Sequence, residues 1–175
     1  VTDLFSSMED EDLAVMLDVT GKPDFPLRIV PVLGALGDAT GTADKAERLA
    51  KASTDKLRLG AVKLMTDGAI QGWTARVKWP FYVGGQPNGI WNTPPELICS
   101  LCEERQKRGI QMHIHGNGDE AAEVTLEAIA AALRKYPAPG HRHVLQHCQM
   151  MGRDLYARAK ELGCCTNIFS NHIYY

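Results

Sequence analysis

Three histidines and one lysine are the residues of this sequence whose types and spacing suggest chemistry. The stretch QMHIHGNGDEAAE, positions 111–123, places His113 and His115 one residue apart and directly before a glycine turn. His147 follows His115 by 32 residues (147 − 115), which is the length of one strand–helix unit. Lys63 lies in the apolar stretch AVKLMTDG, four residues before Asp67. Imidazole rings bind metal ions and carry protons near neutral pH, so this set could form a metal site.

Each of these residues also has a simpler structural interpretation. A single histidine in a strand is usually a polar core residue whose ring is hydrogen-bonded, and an HxH pair alone is a weak metal signal. A lysine in a buried strand is harder to explain, because an unpaired buried ammonium is costly and must find a partner or lose its charge. Lys63, His115 and His147 at matching strand ends are therefore a stronger signal together than any one of them.

The elements that must position these residues alternate along the chain. The sequence predicts an amphipathic helix over the first eighteen residues and then strands that alternate with helices. The predicted strands are LRIVPVLGAL, GAVKLMTDG, IQMHIH, HVLQHCQ and CCTNIFS. Alternation of this kind indicates parallel strands with crossover helices, either in an open doubly wound sheet or in a (β/α) barrel. Both architectures bind ligands beyond the carboxyl ends of the strands, where His115 and His147 are expected to meet.

The length and composition of the chain limit the classes of protein to which it can belong. The 175 residues are enough for one domain, and we assign positions 1–175 to a single α/β domain. A net charge of −2 gives no electrostatic argument for a nucleic-acid or membrane partner. No apolar run approaches the ~20 residues that span a bilayer. The five cysteines are an odd number without framework spacing, which favours reduced thiols and a cytoplasmic location.

Several segments taken together resemble one known superfamily. VKLMTDGAIQGWTA, MHIHGNGDEAAEVTLEAI, RHVLQHCQ and NIFSNHIYY are similar to successive strand ends of the amidohydrolase superfamily. The nearest group is the metal-dependent amidohydrolase-3 (YtcJ-like) group, which includes N-substituted formamide deformylases. The resemblance extends from Leu27 to Tyr175, and the H-x-x-G-D and R-H-x-x-x-H segments are specific in combination.

The resemblance implies a (β/α)₈ TIM-barrel hydrolase that uses metal-activated water to cleave carbon–nitrogen bonds other than peptide bonds, in small amide or formamide substrates. It implies one or two divalent metals, with zinc expected, and catalytic metal ligands at Lys63, His115 and His147. In this role Lys63 would be carboxylated. The expected substrate contacts are Asp67, His172 and Trp73. Trp73 begins a long aromatic loop with Trp79, Tyr82 and Trp91, which could wall the substrate or simply pack the loop onto the barrel. His113, one pleat deeper on the same strand face, is expected either to support the site or to be a core residue.

The sequence also departs from the family pattern. Gln146 stands where a glutamate usually precedes the strand-6 histidine, and neither the N-terminal HxH pair nor the aspartate of the last barrel strand is recognisable. About strands 3 to 7 are recognisable, so we expect an incomplete barrel whose edges are covered by further chain or by another copy in a homo-oligomer. Two alternatives stay open: a catalytically incomplete metal-binding or interaction fragment, and a domain that binds a phosphorylated ligand at Gly116–Asn117–Gly118.

Overall fold

Six parallel strands form one sheet and follow one another in chain order across it. We describe them from a computed structural model in which residues 2–35 and 41–169 are described. The strands are β1 (Thr2–Ser6), β2 (Ile29–Gly34), β3 (Ala61–Met65), β4 (Met112–Gly116), β5 (Val144–His147) and β6 (Cys165–Ile168). The helices are α1 (Asp10–Gly21), α2 (Thr42–Ala50), α3 (Pro95–Lys107), α4 (Asp119–Lys135) and α5 (Arg153–Glu161).

The strand order decides between the two architectures that the sequence left open. A doubly wound sheet reverses its order at a switch point, whereas a barrel adds each new strand to the same edge. The order β1-β2-β3-β4-β5-β6 has no reversal, and all five pairings are parallel. The described residues therefore form part of the wall of a (β/α) barrel, which confirms the predicted incomplete α/β barrel and adds one strand to the five expected.

The additional strand lies where the sequence analysis predicted the start of a helix. Residues 2–6 form β1, and α1 begins only at Asp10, so the prediction of one helix over the first eighteen residues was wrong. β1 pairs with β2 in parallel register from Thr2 opposite Ile29 to Ser6 opposite Leu33. The pairing with β2 overrides the local helical pattern, because strand formation depends on neighbours that are distant in sequence. The Asp12 carboxylate, which accepts a hydrogen bond from the Glu9 backbone N–H at 2.9 Å, marks the start of α1.

Alternate residues of the central strands separate an apolar core from a polar inner face. Val62 and Leu64 of β3, and Met112 and Ile114 of β4, are fully buried in one apolar cluster with residues of α3 and α4. Each large apolar side chain removed from water stabilises the fold by about 1.5–3 kcal/mol. The residues between them point to the opposite face, because successive strand side chains alternate. Core packing thus fixes the face on which Lys63 and the two β4 histidines lie.

Helices α3 and α4 pack against each other on the outer side of the sheet. Their buried positions include Ile98 and Leu101 of α3 and Leu126 and Ile129 of α4, at the three-to-four-residue spacing of one helix face. Within the described ranges, no helix is both long and apolar enough to cross a membrane.

A buried imidazole joins β4, β5 and α3 at the amino end of the sheet. His143 is 2% exposed, its Nδ1 accepts a hydrogen bond from the Met112 N–H at 3.2 Å, and its Nε2 lies 2.7 Å from Gln106 Oε1. Because a carboxamide oxygen only accepts, Nε2 carries the proton and the ring is neutral. Burial, with the neighbouring His141 and His113, lowers the pKa of His143 to about 3.

This lowered pKa predicts an acid-sensitive stability. In the unfolded chain the imidazole takes up a proton below about pH 6.5, whereas in the folded protein it stays neutral down to about pH 3. The unfolded state therefore binds more protons in this window, and stability falls as the pH falls. From pH 7 to pH 5 this group alone should remove about 2 kcal/mol from the free energy of unfolding. Urea unfolding at both pH values should show a loss smaller by about that amount in His143→Asn, and an equal loss would contradict the assignment.

Candidate metal centre

Three adjacent strands carry the lysine and the histidines singled out in the sequence. Lys63 of β3 lies opposite His113 of β4, and Met65 lies opposite His115 one pleat further along. On the next strand, Gln146 lies opposite His115 and His147 opposite Gly116. The structure therefore places Lys63, His115 and His147 on neighbouring strands and the two histidines at the carboxyl edge, as their spacing predicted. Lys63 does not share that level: it is the middle residue of β3 and lies one pleat deeper than the matching strand end expected for it, because its register partner is His113. Lys63 and His115 are each 8% exposed.

A left-handed backbone at the end of β5 brings the second histidine to the first. By strict alternation His147 would face away from Gln146 and from the polar inner face. The backbone instead has φ +74° at His147 and +54° at Cys148. The His147 ring lies edge-on to His115, with ring centroids 4.7 Å apart and an interplanar angle of 68°. Positive φ is unfavourable for residues other than glycine and occurs preferentially at functional sites.

The surroundings of His115 fix which ring nitrogen carries its proton. Nε2 lies 2.8 Å from the carbonyl oxygen of Gly68 and 3.5 Å from Asp67 Oδ1. A carbonyl oxygen can only accept a hydrogen bond, so Nε2 donates and Nδ1 of the neutral ring keeps its lone pair. The Asn117 amide nitrogen donates to the same carbonyl at 2.8 Å, close beside the ring. The lone-pair nitrogen of His115 is therefore Nδ1.

Burial and the charge of the partner group act in opposite directions on the pKa values of His115 and Asp67. Burial lowers the pKa of His115 and the nearby Lys63 charge lowers it further, against the Gly68 hydrogen bond and the Asp67 charge, which raise it. Burial raises the pKa of Asp67, against backbone N–H donors and His115, which lower it. The lowered pKa leaves the His115 ring neutral at pH 7, as a metal ligand must be.

The predicted substrate contacts have three different positions. Asp67 has no exposed surface, and its carboxylate accepts backbone hydrogen bonds from Arg76, Asn117 and Gly118. Trp73 is half exposed and packs edge-on against Tyr82, with ring centroids 5.1 Å apart. His172 lies outside the described residues. Contact of these residues with a substrate stays a prediction. The Asp67 carboxylate has no solvent-accessible surface at which a substrate could contact it.

The aromatic loop after β3 is tied to the start of α4 along its first half. The Arg76 guanidinium forms a two-point ion pair with Glu120, with both N–O distances 3.0 Å, and stacks over the Trp91 ring at 4.9 Å. A Cβ on Gly118 would overlap the Arg76 carbonyl oxygen, so only glycine allows this approach. Trp91 thus packs the loop, whereas Trp79 is 82% exposed.

Two cavities border the polar inner face. One of about 230 Å³ at the carboxyl edge is lined by Gln71, His115, Asn117, His147, Gln149 and Phe169. Another of about 430 Å³ lies at the amino end and includes His113, whose Nδ1 is 3.0 Å from the amide nitrogen of Gln146. His113 therefore belongs to a separate polar contact one pleat below His115, and a supporting role for it stays a prediction.

Sequence reasoning named Asn117 only as part of a possible phosphate-binding turn, and it missed the contact of Asn117 and the Gly68 carbonyl with His115. Asn117 is 6% exposed, its backbone N–H is held by Asp67, and its Oδ1 is buried with no hydrogen-bond partner among the described residues. Buried polar atoms without partners are uncommon and call for an explanation such as an ion or a water. The glycines on both sides of Asn117 were the available signal, because they mark a turn where backbone groups approach closely.

The donor chemistry around His115 suits a divalent transition metal in part. Nδ1 of His115 and the adjacent His147 ring are imidazole donors of the type that zinc accepts. Among residues 2–35 and 41–169, no group of three or more histidine, cysteine, aspartate or glutamate side chains is arranged to hold a metal ion. A third ligand from the described chain would thus have to come from a different residue type, and Lys63 is the buried candidate on the neighbouring strand.

The fold and the site together define a (β/α)-barrel protein with a histidine pair at its carboxyl edge. Comparison with known sequences gives the family. The family model of the amidohydrolase family matches residues 4–174, so the chain belongs to that family. The YtcJ protein of Bacillus subtilis (strain 168), whose name assigns it to the amidohydrolases, is 32% identical over 120 residues. These residues are 68% of this chain and 22% of that protein, so the chain spans about a fifth of the relative it matches.

Solved structures share the fold at lower identity. A crystal structure of an uncharacterized metal-dependent hydrolase from Pyrococcus furiosus matches with a TM-score of 0.71 and 21% identity, over 95% of this chain and 33% of that one. A second metal-dependent hydrolase, from Pyrococcus horikoshii OT3, matches with a TM-score of 0.68 and 17% identity, over 95% of this chain and 32% of that one. These similarities support the barrel architecture independently of sequence motifs.

The left-handed backbone at His147 predicts an unusual order of stability between two variants. In an ordinary strand alanine is more stable than glycine by about 0.5–1 kcal/mol. At φ +74° the order should reverse, because glycine adopts this conformation without a steric penalty. Both His147→Gly and His147→Ala remove the ring contact, so their difference isolates the backbone. Urea unfolding should find the glycine variant more stable by about 1 kcal/mol, and a more stable alanine variant would refute the left-handed assignment.

Proposed function

We propose that the protein acts as a metal-dependent hydrolase on carbon–nitrogen bonds other than peptide bonds, in small amide or formamide-type substrates. The observation that carries the proposal is the His115–His147 pair at the carboxyl edge of a barrel wall in a member of the amidohydrolase family. The lone-pair nitrogen of His115 and the strained backbone of His147 support a ligand role for both rings.

The proposed metal ligands are His115, His147 and Lys63. Lys63 would become an anionic oxygen ligand when its neutral amine adds to carbon dioxide and loses a proton, which gives a carbamate. Burial favours the neutral amine that this reaction needs. A divalent cation held there would polarise the substrate carbonyl and lower the pKa of water towards ~7. Zinc suits a site with imidazole ligands, and we propose one or two ions in the whole protein.

The small cavity beside the histidines supports an uncharged substrate. Apart from the two histidines, its lining residues are Gln71, Asn117 and Gln149, which carry carboxamides, and Phe169. Carboxamides both donate and accept hydrogen bonds, which matches the C=O and N–H of an amide. Trp73 is proposed as an apolar wall.

An anion-binding function at Gly116–Asn117–Gly118 is disfavoured by an internal anion. The backbone N–H groups of Asn117 and Gly118, which a phosphate would need, donate to the Asp67 carboxylate at 3.0 and 2.8 Å.

Two further proposals concern the edges of the sheet and the activity of the chain by itself. Either further chain or another copy covers the outer edges of β1 and β6, because open strand edges offer unpaired backbone groups. The chain by itself would bind metal but turn over substrate poorly.

The metal site predicts a selective loss of bound metal. His115→Ala and His147→Ala should each abolish stoichiometric zinc measured by elemental analysis, because two remaining ligands hold zinc weakly. Gln71→Ala is the matched control, since it lines the same cavity but contributes no proposed ligand. Turnover of N-formyl and N-acyl amines with added zinc or manganese should be lost with the metal in both histidine variants, and Gln71→Ala serves as a control for metal content only. Undiminished zinc in both histidine variants would exclude the site, and full zinc without turnover in the protein that contains this chain would favour a binding function.

A further inference from the structure

Asp67 joins three separate segments of the chain through one buried carboxylate. Its Oδ1 accepts the N–H of Asn117 at 3.0 Å, and its Oδ2 accepts those of Gly118 at 2.8 Å and Arg76 at 2.9 Å. An ionised carboxylate only accepts, so these three donors match its charged form. The carboxylate therefore holds the end of β3, the loop at Arg76 and the start of α4 in one arrangement.

The same segments enclose the Nε2 side of the His115 ring. Gly68, the next residue after Asp67, presents its carbonyl oxygen to Nε2 at 2.8 Å, and Asp67 Oδ1 lies 3.5 Å from that nitrogen. The Asn117 amide nitrogen also donates to the Gly68 oxygen, and this hydrogen bond fixes the carbonyl beside the ring. The Asn117 amide nitrogen itself lies 3.3 Å from Nε2, farther than the Gly68 oxygen at 2.8 Å, and one of its protons is used by that oxygen. The two oxygens near Nε2 are acceptors, so they favour a proton on Nε2 and leave Nδ1 without one.

We propose that Asp67 is a positioning residue that fixes the tautomer and orientation of His115, by holding Gly68 and the Asn117–Gly118 turn against the Nε2 side of the ring. This assignment differs from the substrate contact expected from the sequence. The claim that Asp67 fixes the tautomer of His115 does not depend on a bound metal. The consequence for metal binding rests on the proposed function, in which Nδ1 is the ligand atom.

The substitution Asp67→Asn tests the proposal with almost no change in size. The amide oxygen keeps two of the three backbone hydrogen bonds if it takes the place of Oδ2, opposite Gly118 and Arg76. The amide NH₂ then stands where Oδ1 was, 3.5 Å from His115 Nε2. A donor replaces an acceptor at that position, so the Nδ1–H tautomer gains population.

Nitrogen-15 NMR of the imidazole ring measures this tautomer directly at a fixed pH of about 8.5. The native protein should show His115 protonated at Nε2, and Asp67→Asn should show a mixture or the Nδ1–H form. Asp119→Asn is the matched control, because Asp119 Oδ1 also ties the loop to α4, through the N–H groups of Lys78 at 2.8 Å and Glu120 at 3.0 Å. If Asp67 only stabilised the loop, both variants would lose stability and neither would change the tautomer.

Zinc affinity by competition with a chromophoric chelator is the second readout. Asp67→Asn should weaken zinc binding by about 10–100-fold, the usual effect of removing a group that orients a ligand histidine, and Asp119→Asn should leave it near native. If His115 of the native protein carries its proton on Nδ1, the proposal is overturned, even if the variant does not fold. An unchanged tautomer in a folded Asp67→Asn variant would also overturn it. A changed tautomer without any zinc binding in the native protein would support the positioning role and reject the proposed function.

Discussion

The in-register parallel pairing of β3, β4 and β5 is the constraint on which the site depends. Parallel strands that advance together end at one edge, and residues opposite each other share a face. Apolar burial against α3 and α4 selects the outer face for Val62, Leu64, Met112 and Ile114, so the intervening polar residues have only the inner face available. A slip of one residue would bring the β4 histidines into the apolar core and move Met112 and Ile114 out of it. The same strand register therefore determines both the packing of the apolar core and the position of the histidines.

Periodicity predicted most of the fold because alternation and helix length are local properties. The strands carrying Lys63, His115 and His147 lie as expected, and so do the crossover helices between them. β1 could not be found in this way, since its five residues are held as a strand by β2, more than twenty positions away. The position of His147 was predicted from a count of residues, yet its ring reaches His115 through a left-handed backbone that no local pattern indicated. The contacts of Asp67 and Asn117 join residues about fifty positions apart, beyond any periodic signal.

Polar groups in the interior of this sheet occur in hydrogen-bonded sets. His143 bridges a backbone N–H and the Gln106 side chain, the His113 ring meets the Gln146 amide, and His115 shares the Gly68 carbonyl with Asn117. A buried polar group without a partner costs about 1–3 kcal/mol, so such sets are stable only when nearly complete. Among the described residues two buried side-chain atoms have no hydrogen-bond partner, Arg105 Nε on α3 and Asn117 Oδ1. The second lies at the carboxyl edge, where ligands bind in barrels.

The loop that follows β3 combines a fixed stem with an exposed tip. The stem is held at Arg76 by Glu120 and by the close approach of Gly118, whereas Trp79 and Val83 in the tip are 82% and 94% exposed. Changes of sequence in the stem would disturb the start of α4 and, through it, the histidine edge. Tyr82 is the exception in the tip, because its hydroxyl donates to the Ala75 carbonyl at 2.8 Å and its ring packs against Trp73. Changes at Trp79 and Val83 meet no such restriction, so a library confined to these two positions would explore new surfaces while the histidine pair stays in place.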